Sequence, residues 1–189
     1  MPLEMDVDNI EETKSKLEHL TQTIGKIDLM IFCAGLGGDN EQLNTEREIE
    51  IVKTNITGFT FVLNWFYHFF DKQRYGHIVA ITSVAGLRGN RISPAYFASK
   101  AFQINYLEAL KQKSYKTKSN ITITDIRPGF VATTMLSRKD LPWTVEPTEA
   151  AQKIVASIKK QRKIVYITKR WLLIAMLLKI TPSIIYNRL

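Results

Sequence analysis

Residues 76–100 read GHIVAITSVAGLRGNRISPAYFASK. Gly76-His77 turns into Ile78 to Thr82, a short apolar run of the kind that forms a strand buried on both faces. Ser93 can cap a helix with Pro94 at its first position, and that helix runs on through Tyr96, Phe102 and Leu107. Tyr96 and Lys100 stand four residues apart, so a phenol and an ammonium share one helical face and can converge. A free phenol has a pKa of ~10, and a fixed cation beside it favours the phenolate, which moves Tyr96 toward acid–base work near neutral pH. Such pairs also occur on solvated helices. Ser83 gives this one its meaning, because it closes the buried strand thirteen residues before Tyr96.

Outward from this stretch, helix and strand alternate. Ile10, Leu17, Leu20 and Ile24 recur at helical spacing with Gly25 as a stop, which predicts an amphipathic helix over 9–24. Ile27 to Cys33 reads as a strand buried on both faces. Thr45 to Phe70 supports one long helix, with Glu46, Glu48 and Glu50 near its start. Ile121 to Ile126 is a further strand ending at Pro128-Gly129, Thr148 to Lys160 a helix opened by Pro147, and Lys163 to Thr168 a last strand. Strands separated by helices, with short connections and no repeat, predict an α/β fold with a largely parallel sheet. Ligands of such sheets bind at the carboxyl ends of the strands, where residues 33–35, 83 and 128–133 lie.

With these residues in this order the chain resembles the short-chain dehydrogenase/reductase family, whose main branch combines a strand-end Ser, a Tyr-x-x-x-Lys about thirteen residues later and an Asn on the preceding helix. The Asn is matched by Asn55, in Lys53-Thr-Asn-Ile-Thr-Gly58. Arg127-Pro-Gly-Phe-Val-Ala-Thr133 is similar to the family's Pro-Gly-x-Val-x-Thr segment, and Leu29 to Gly35 to its fourth strand with the closing Asn-Asn-Ala-Gly. Met5-Asp6-Val7 looks like the end of the third strand, where the family's Asp contacts adenine. The resemblance spans residues 3–168.

It implies a Rossmann-like three-layer sandwich binding NAD or NADP, and hydride transfer between nicotinamide and a carbonyl/alcohol substrate. Carried over residue by residue, Tyr96 moves the proton, while Lys100 lowers its pKa and holds the nicotinamide ribose. Ser83 hydrogen-bonds the substrate oxygen, and Asn55 helps hold a water that relays protons through Lys100. Pro128, Gly129, Val131 and Thr133 position the nicotinamide carboxamide; Ala34, Gly35 and Asp6 lie toward the adenine and its ribose.

Two departures accompany the resemblance. The family opens with a strand, a Gly-rich turn and a helix that hold the pyrophosphate, whereas here no Gly precedes Gly25. The chain therefore reads as starting at the end of the third strand, with a sheet lacking the first two strands and an exposed edge that invites a homo-oligomer. That reading covers a fragment, a misplaced start, or a short form kept as a non-catalytic interaction or membrane-associated protein. Second, Phe32-Cys33 replace two Asn, so Cys33 reads as a small buried hydrophobe rather than a nucleophile. His19, His68 and His77 are scattered and point to no metal site.

The 189 residues, 45% hydrophobic and 23% charged, suit one globular core and exclude disorder. One cysteine and an acidic opening without a secretory pattern point to a reducing, cytoplasmic setting. Charge is divided unevenly: 17 Lys+Arg and 18 Asp+Glu lie in residues 1–150, against 9 Lys+Arg and no acid in 151–189. Basic character confined to a tail argues against nucleic acid. Residues 1–169 read as the partial Rossmann domain and 170–189 as an apolar, basic helical extension. Trp171 to Leu178 is too short to span a bilayer; with Lys159, Lys160, Arg162, Lys163, Lys169 and Arg170 before it, the extension reads as an interfacial helix at an anionic membrane, or as a cover for the core or a partner subunit. Leu87 to Ala95 and Thr134 to Glu146, with Met135, Leu136, Leu141 and Trp143, read as an apolar lid suited to a hydrophobic substrate.

Overall fold

The computed structural model describes residues 3–136 and 141–188. Strands β1 (Leu29–Phe32), β2 (Gly76–Ile81), β3 (Ile121–Arg127) and β4 (Ile164–Tyr166) pair in that order, every pair parallel. Parallel neighbours need crossovers. These are α2 (Thr45–Val52) with α3 (Phe59–Gln73), then α4 (Pro94–Thr117), then α5 (Pro147–Lys159). Helix α1 (Ile10–Ile24) precedes β1, and α6 (Lys169–Ile180) and α7 (Ser183–Tyr186) follow β4. The parallel α/β architecture read from the alternation of apolar segments is the one observed.

Because strand side chains alternate, the sheet makes two cores. Met30, Phe32, Ile78, Ala80, Ile121 and Ile123 pack on one face against Leu17 of α1, Phe59, Leu63 and Phe70 of α3, and Leu107 of α4. Val79, Ile126 and Val165 pack on the other against Ala150 and Ile158 of α5.

Four expectations need correction. Strand β1 is not buried on both faces: Met30 and Phe32 are buried but Leu29 and Ile31 are exposed, because β1 is a sheet edge and no described helix covers its second face. Residues 5–7 form no strand. Among the described residues they have no strand neighbour to pair with; instead Val7 crosses over Gly58, Asp8 accepts from Thr54 Oγ1 at 2.9 Å, and Asn9 caps α1.

The long helix after Thr45 is divided by a π-helical turn, Lys53–Gly58, which carries Asn55. Such turns interrupt the regular ladder and recur at functional sites. Finally, Ser93 occupies the N-cap of α4 but its hydroxyl makes no capping bond. The free amide of Ala95 donates to Glu48 Oε2 of α2 at 2.9 Å, and Glu48 is itself held by Asn40 Nδ2 at 2.7 Å. A carboxylate at a helix amino end satisfies an orphan donor and the helix dipole together.

Candidate active site

Strand β2 ends at Ile81, and the chain then turns into a short 3₁₀ helix, Val84–Leu87, capped by Ser83, whose Oγ accepts from Ala85 N at 3.0 Å. Thr82 and Val84 register this turn on the end of β3: Thr82 Oγ1 donates to Asp125 Oδ1 at 2.6 Å and Val84 N donates to Pro128 O at 2.9 Å. Asp125 is fully buried and paired with Arg127 at 2.6 Å, so the two strand ends form one fixed platform. Helix α4 lays Tyr96 and Lys100 against it.

The Lys100 ammonium lies 5.8 Å from the Tyr96 ring centroid. Its Nζ donates to Ile81 O at 3.2 Å and to Gln103 Oε1 at 3.0 Å. Burial lowers its pKa to about 8, against the pull of Asp125. Tyr96 is pushed the other way: burial raises it above the usual phenol value, and a hydrogen bond with the Ser83 side chain opposes the rise. This corrects the expectation that Lys100 sets a lowered phenol pKa. Desolvation of the buried ring is the largest influence on the phenol, and it favours the protonated form.

Asn55 is fully buried, and its side chain is a clamp. Leu36 N donates to Asn55 Oδ1 at 2.8 Å, while Asn55 Nδ2 donates to Leu36 O at 2.8 Å and to Ser99 Oγ at 2.9 Å. Its backbone carbonyl oxygen accepts from Gln103 Nε2 at 2.9 Å. Gln103 is a residue that sequence reasoning missed, although its place three residues after Lys100 put it on the same helical face.

The clamp brings the end of β1 to the cluster. A Cβ on Gly35 would lie 3.3 Å from Asn55 Oδ1 and 3.6 Å from Lys100 Nζ, so a side chain here would crowd both groups. A Cβ on Gly37 would lie 3.0 Å from both the Tyr96 ring and Met135 Sδ, which places Met135 of the expected lid beside Tyr96. Residues 137–140 of that lid lie outside the described residues.

On the β3 side, Gly129 is packed so closely on Trp171 that any side chain would overlap the indole, and Val131 pairs with Val145. Ala34 and Thr133 are exposed. Asp6 is exposed too, its carboxylate accepting from Asp8 N at 2.9 Å in the turn before α1. Ser83, Tyr96, Lys100, Asn55 and Gly35 thus come together, whereas Asp6 is bound into that turn. Cys33, expected to be buried, is exposed, because it leaves the edge strand β1; what burial its thiol has pushes its pKa up.

Ser83, Tyr96 and Lys100 thus gather at the carboxyl end of a parallel sheet, the place where α/β folds of this kind bind their ligands. The chain belongs to the short chain dehydrogenase family, whose model matches residues 1–142. An uncharacterized oxidoreductase of Myxococcus xanthus is 33% identical over 143 residues, 75% of this chain and 56% of the relative. A 3-oxoacyl-[acyl-carrier-protein] reductase of Bos taurus is 29% identical over 143 residues, covering 75% of this chain and 59% of its own. The chain therefore spans little more than half the length of these relatives. The crystal structure of a short chain dehydrogenase from Burkholderia cenocepacia in complex with NADP superposes with a TM-score of 0.83 at 21% identity, over 100% of this chain and 77% of that one.

Proposed function

We propose that this chain serves NAD(P)-dependent interconversion of a carbonyl and an alcohol on a hydrophobic substrate. The observation that carries the reading is the convergence of Ser83, Tyr96 and Lys100 on one buried platform at the carboxyl end of a parallel sheet. Support for an acyl-type substrate comes from the reductase relative named for 3-oxoacyl chains and from Met135 beside Tyr96.

The residues present suit a nicotinamide nucleotide. Gly35 leaves the space over Asn55 and Lys100 free of side chain, so Lys100 can reach a ribose hydroxyl. Pro128, Gly129, Val131 and Thr133 would take the nicotinamide carboxamide; Ala34, Gly35 and Asp6 would lie toward the adenosine. When bound, the nicotinamide supplies or accepts the hydride.

The protein's own groups handle the proton. Burial keeps the Tyr96 phenol protonated, so in reduction it gives its Oη proton to the substrate oxygen and in oxidation it takes it back. The Ser83 hydroxyl donates to the same oxygen as charge builds there. Lys100, while protonated, favours the phenolate left behind. Asn55 holds the Leu36 backbone and, through Gln103, the position of Lys100.

The test is a thermal-shift titration with NADH and NADPH, followed by turnover of medium-chain ketones. A ligand that binds only the folded chain raises its stability in proportion to RT ln(1 + [L]/Kd). Tyr96→Phe should keep the shift and lose turnover by about 10²–10⁴-fold. No shift with either nucleotide from a folded chain, or full turnover in Tyr96→Phe, would overturn the reading.

A further inference from the structure

Helices α6 and α7 close over the substrate side of the site. The Trp171 indole meets Phe130 edge-on at 5.1 Å and Trp143 at 6.1 Å. Tyr186 Oη donates to Gly89 O at 2.6 Å, and the Arg88 guanidinium lies 4.5 Å over the Tyr186 ring. The two helices therefore bridge the loop after Ser83 and the segment after Pro128, the two walls of the substrate side.

Helix α6 is apolar nearly all the way round. Trp171 and Ala175 are buried inward, while Leu173, Met176, Leu177 and Ile180 point outward, 62%, 54%, 60% and 75% exposed, and Ile184 of α7 adds 72%. At about 3.6 residues per turn, Arg170 and Lys179 fall on the two flanks of this stripe and Lys169 at its amino-terminal end. Residues 151–189 carry nine basic side chains and no acidic one. A helix apolar on all sides needs an apolar neighbour on each, and a contiguous exposed patch marks where one docks.

We propose that the outward face of α6 and α7 docks on the surface of an anionic phospholipid bilayer. Charge selects this occupant. A self-associating pair meeting through α6 would bring two acid-free basic tails together, because a two-fold contact sets like surface on like. An anionic surface instead accepts the apolar stripe at the headgroup–acyl boundary while Lys169, Arg170 and Lys179 extend to the phosphates. The helix lies in the plane of the surface: twelve residues make about 18 Å of helix, and no described helix is long and apolar enough to cross a membrane. Resting on the reductase reading, this docking sets the mouth of the site against the bilayer, so that a lipid-dissolved carbonyl or alcohol enters beneath α6.

The experiment is co-sedimentation of the full chain with phosphatidylcholine vesicles, with and without phosphatidylglycerol, at low and high salt. Phosphatidylglycerol should tighten binding by about fivefold for each basic side chain that reaches the surface, and salt should reverse the gain. The variant Leu173→Glu/Met176→Glu/Leu177→Glu changes only exposed positions; it should keep its circular dichroism spectrum and lose vesicle binding. Tyr96→Phe should bind vesicles like the parent, which separates this proposal from the reductase reading. Equal affinity for neutral and anionic vesicles, undiminished binding by the triple variant, or a homodimer that the triple variant dissociates without vesicles would each overturn it.

Discussion

On the face of the sheet covered by α1, α3 and α4, Met30 and Phe32 of β1 are 7% and 4% exposed; on the opposite face of the same strand Leu29 and Ile31 are 38% and 43% exposed. The candidate site follows the same division. Its chemical half, Ser83, Tyr96, Lys100 and Asn55, is anchored to elements of the covered face and tied by hydrogen bonds to three backbone segments. Its outer part, with Ala34 proposed to lie toward the adenosine, stands exposed at the end of the edge strand. Side chains are held where several elements over-determine them, and the groups proposed to move the proton are built into that part of the molecule.

The sharpest way to break this contrast is to cut a large side chain on each face. Phe59→Ala on the covered face should cost about 3–5 kcal/mol in urea unfolding. Leu29→Ala on the other should cost less than about 1 kcal/mol. Equal losses would mean that the open face is covered in solution.

The next effect is a pH dependence. Lys100 titrates at about 8 in the fold against 10.5 when free, so between those values the unfolded chain binds more protons than the folded one. Stability should therefore rise with pH across that window, by on the order of 3 kcal/mol. Lys100→Met should lack this rise when unfolding is measured along a pH series. An identical pH profile in both proteins would show that the ammonium is not desolvated by the covered face.

Smaller still, Ser83→Ala should lower turnover about 10²-fold, the loss of one donor to the developing oxyanion. It should also cost about 1 kcal/mol of stability, the loss of a cap. A variant with normal turnover would confine Ser83 to capping. Least of all, Ile31→Lys on the open face should move stability by no more than about 0.5 kcal/mol. Alkylation of Cys33 should be slow at neutral pH, because partial burial holds its thiol protonated.

Much of this is legible in the sequence. Apolar runs of strand length alternating with helical periodicity predicted the parallel sheet, and Ser83, Tyr96 and Lys100 were identifiable because their spacing is local to one strand–helix unit. The errors lie elsewhere. The strand at Ile27 to Cys33 looked buried on both faces because its residues are apolar, and composition carries no record of which neighbour is present. Asn55 looked like part of one straight helix because a π-helical turn leaves no periodic signature.

The sequence by itself determined the family, the parallel α/β plan and the identity of the Ser, Tyr and Lys, since each rests on short-range pattern. Only the tertiary structure decided how they are held. The Asn55 amide clamps Leu36, nineteen residues before it, and Gln103 joins Lys100 to the Asn55 carbonyl across forty-eight positions. Glu48 caps a helix that begins forty-six residues later. Such bonds depend on where packed elements place donors and acceptors in space, and that placement is settled by the cores on the two faces of the sheet.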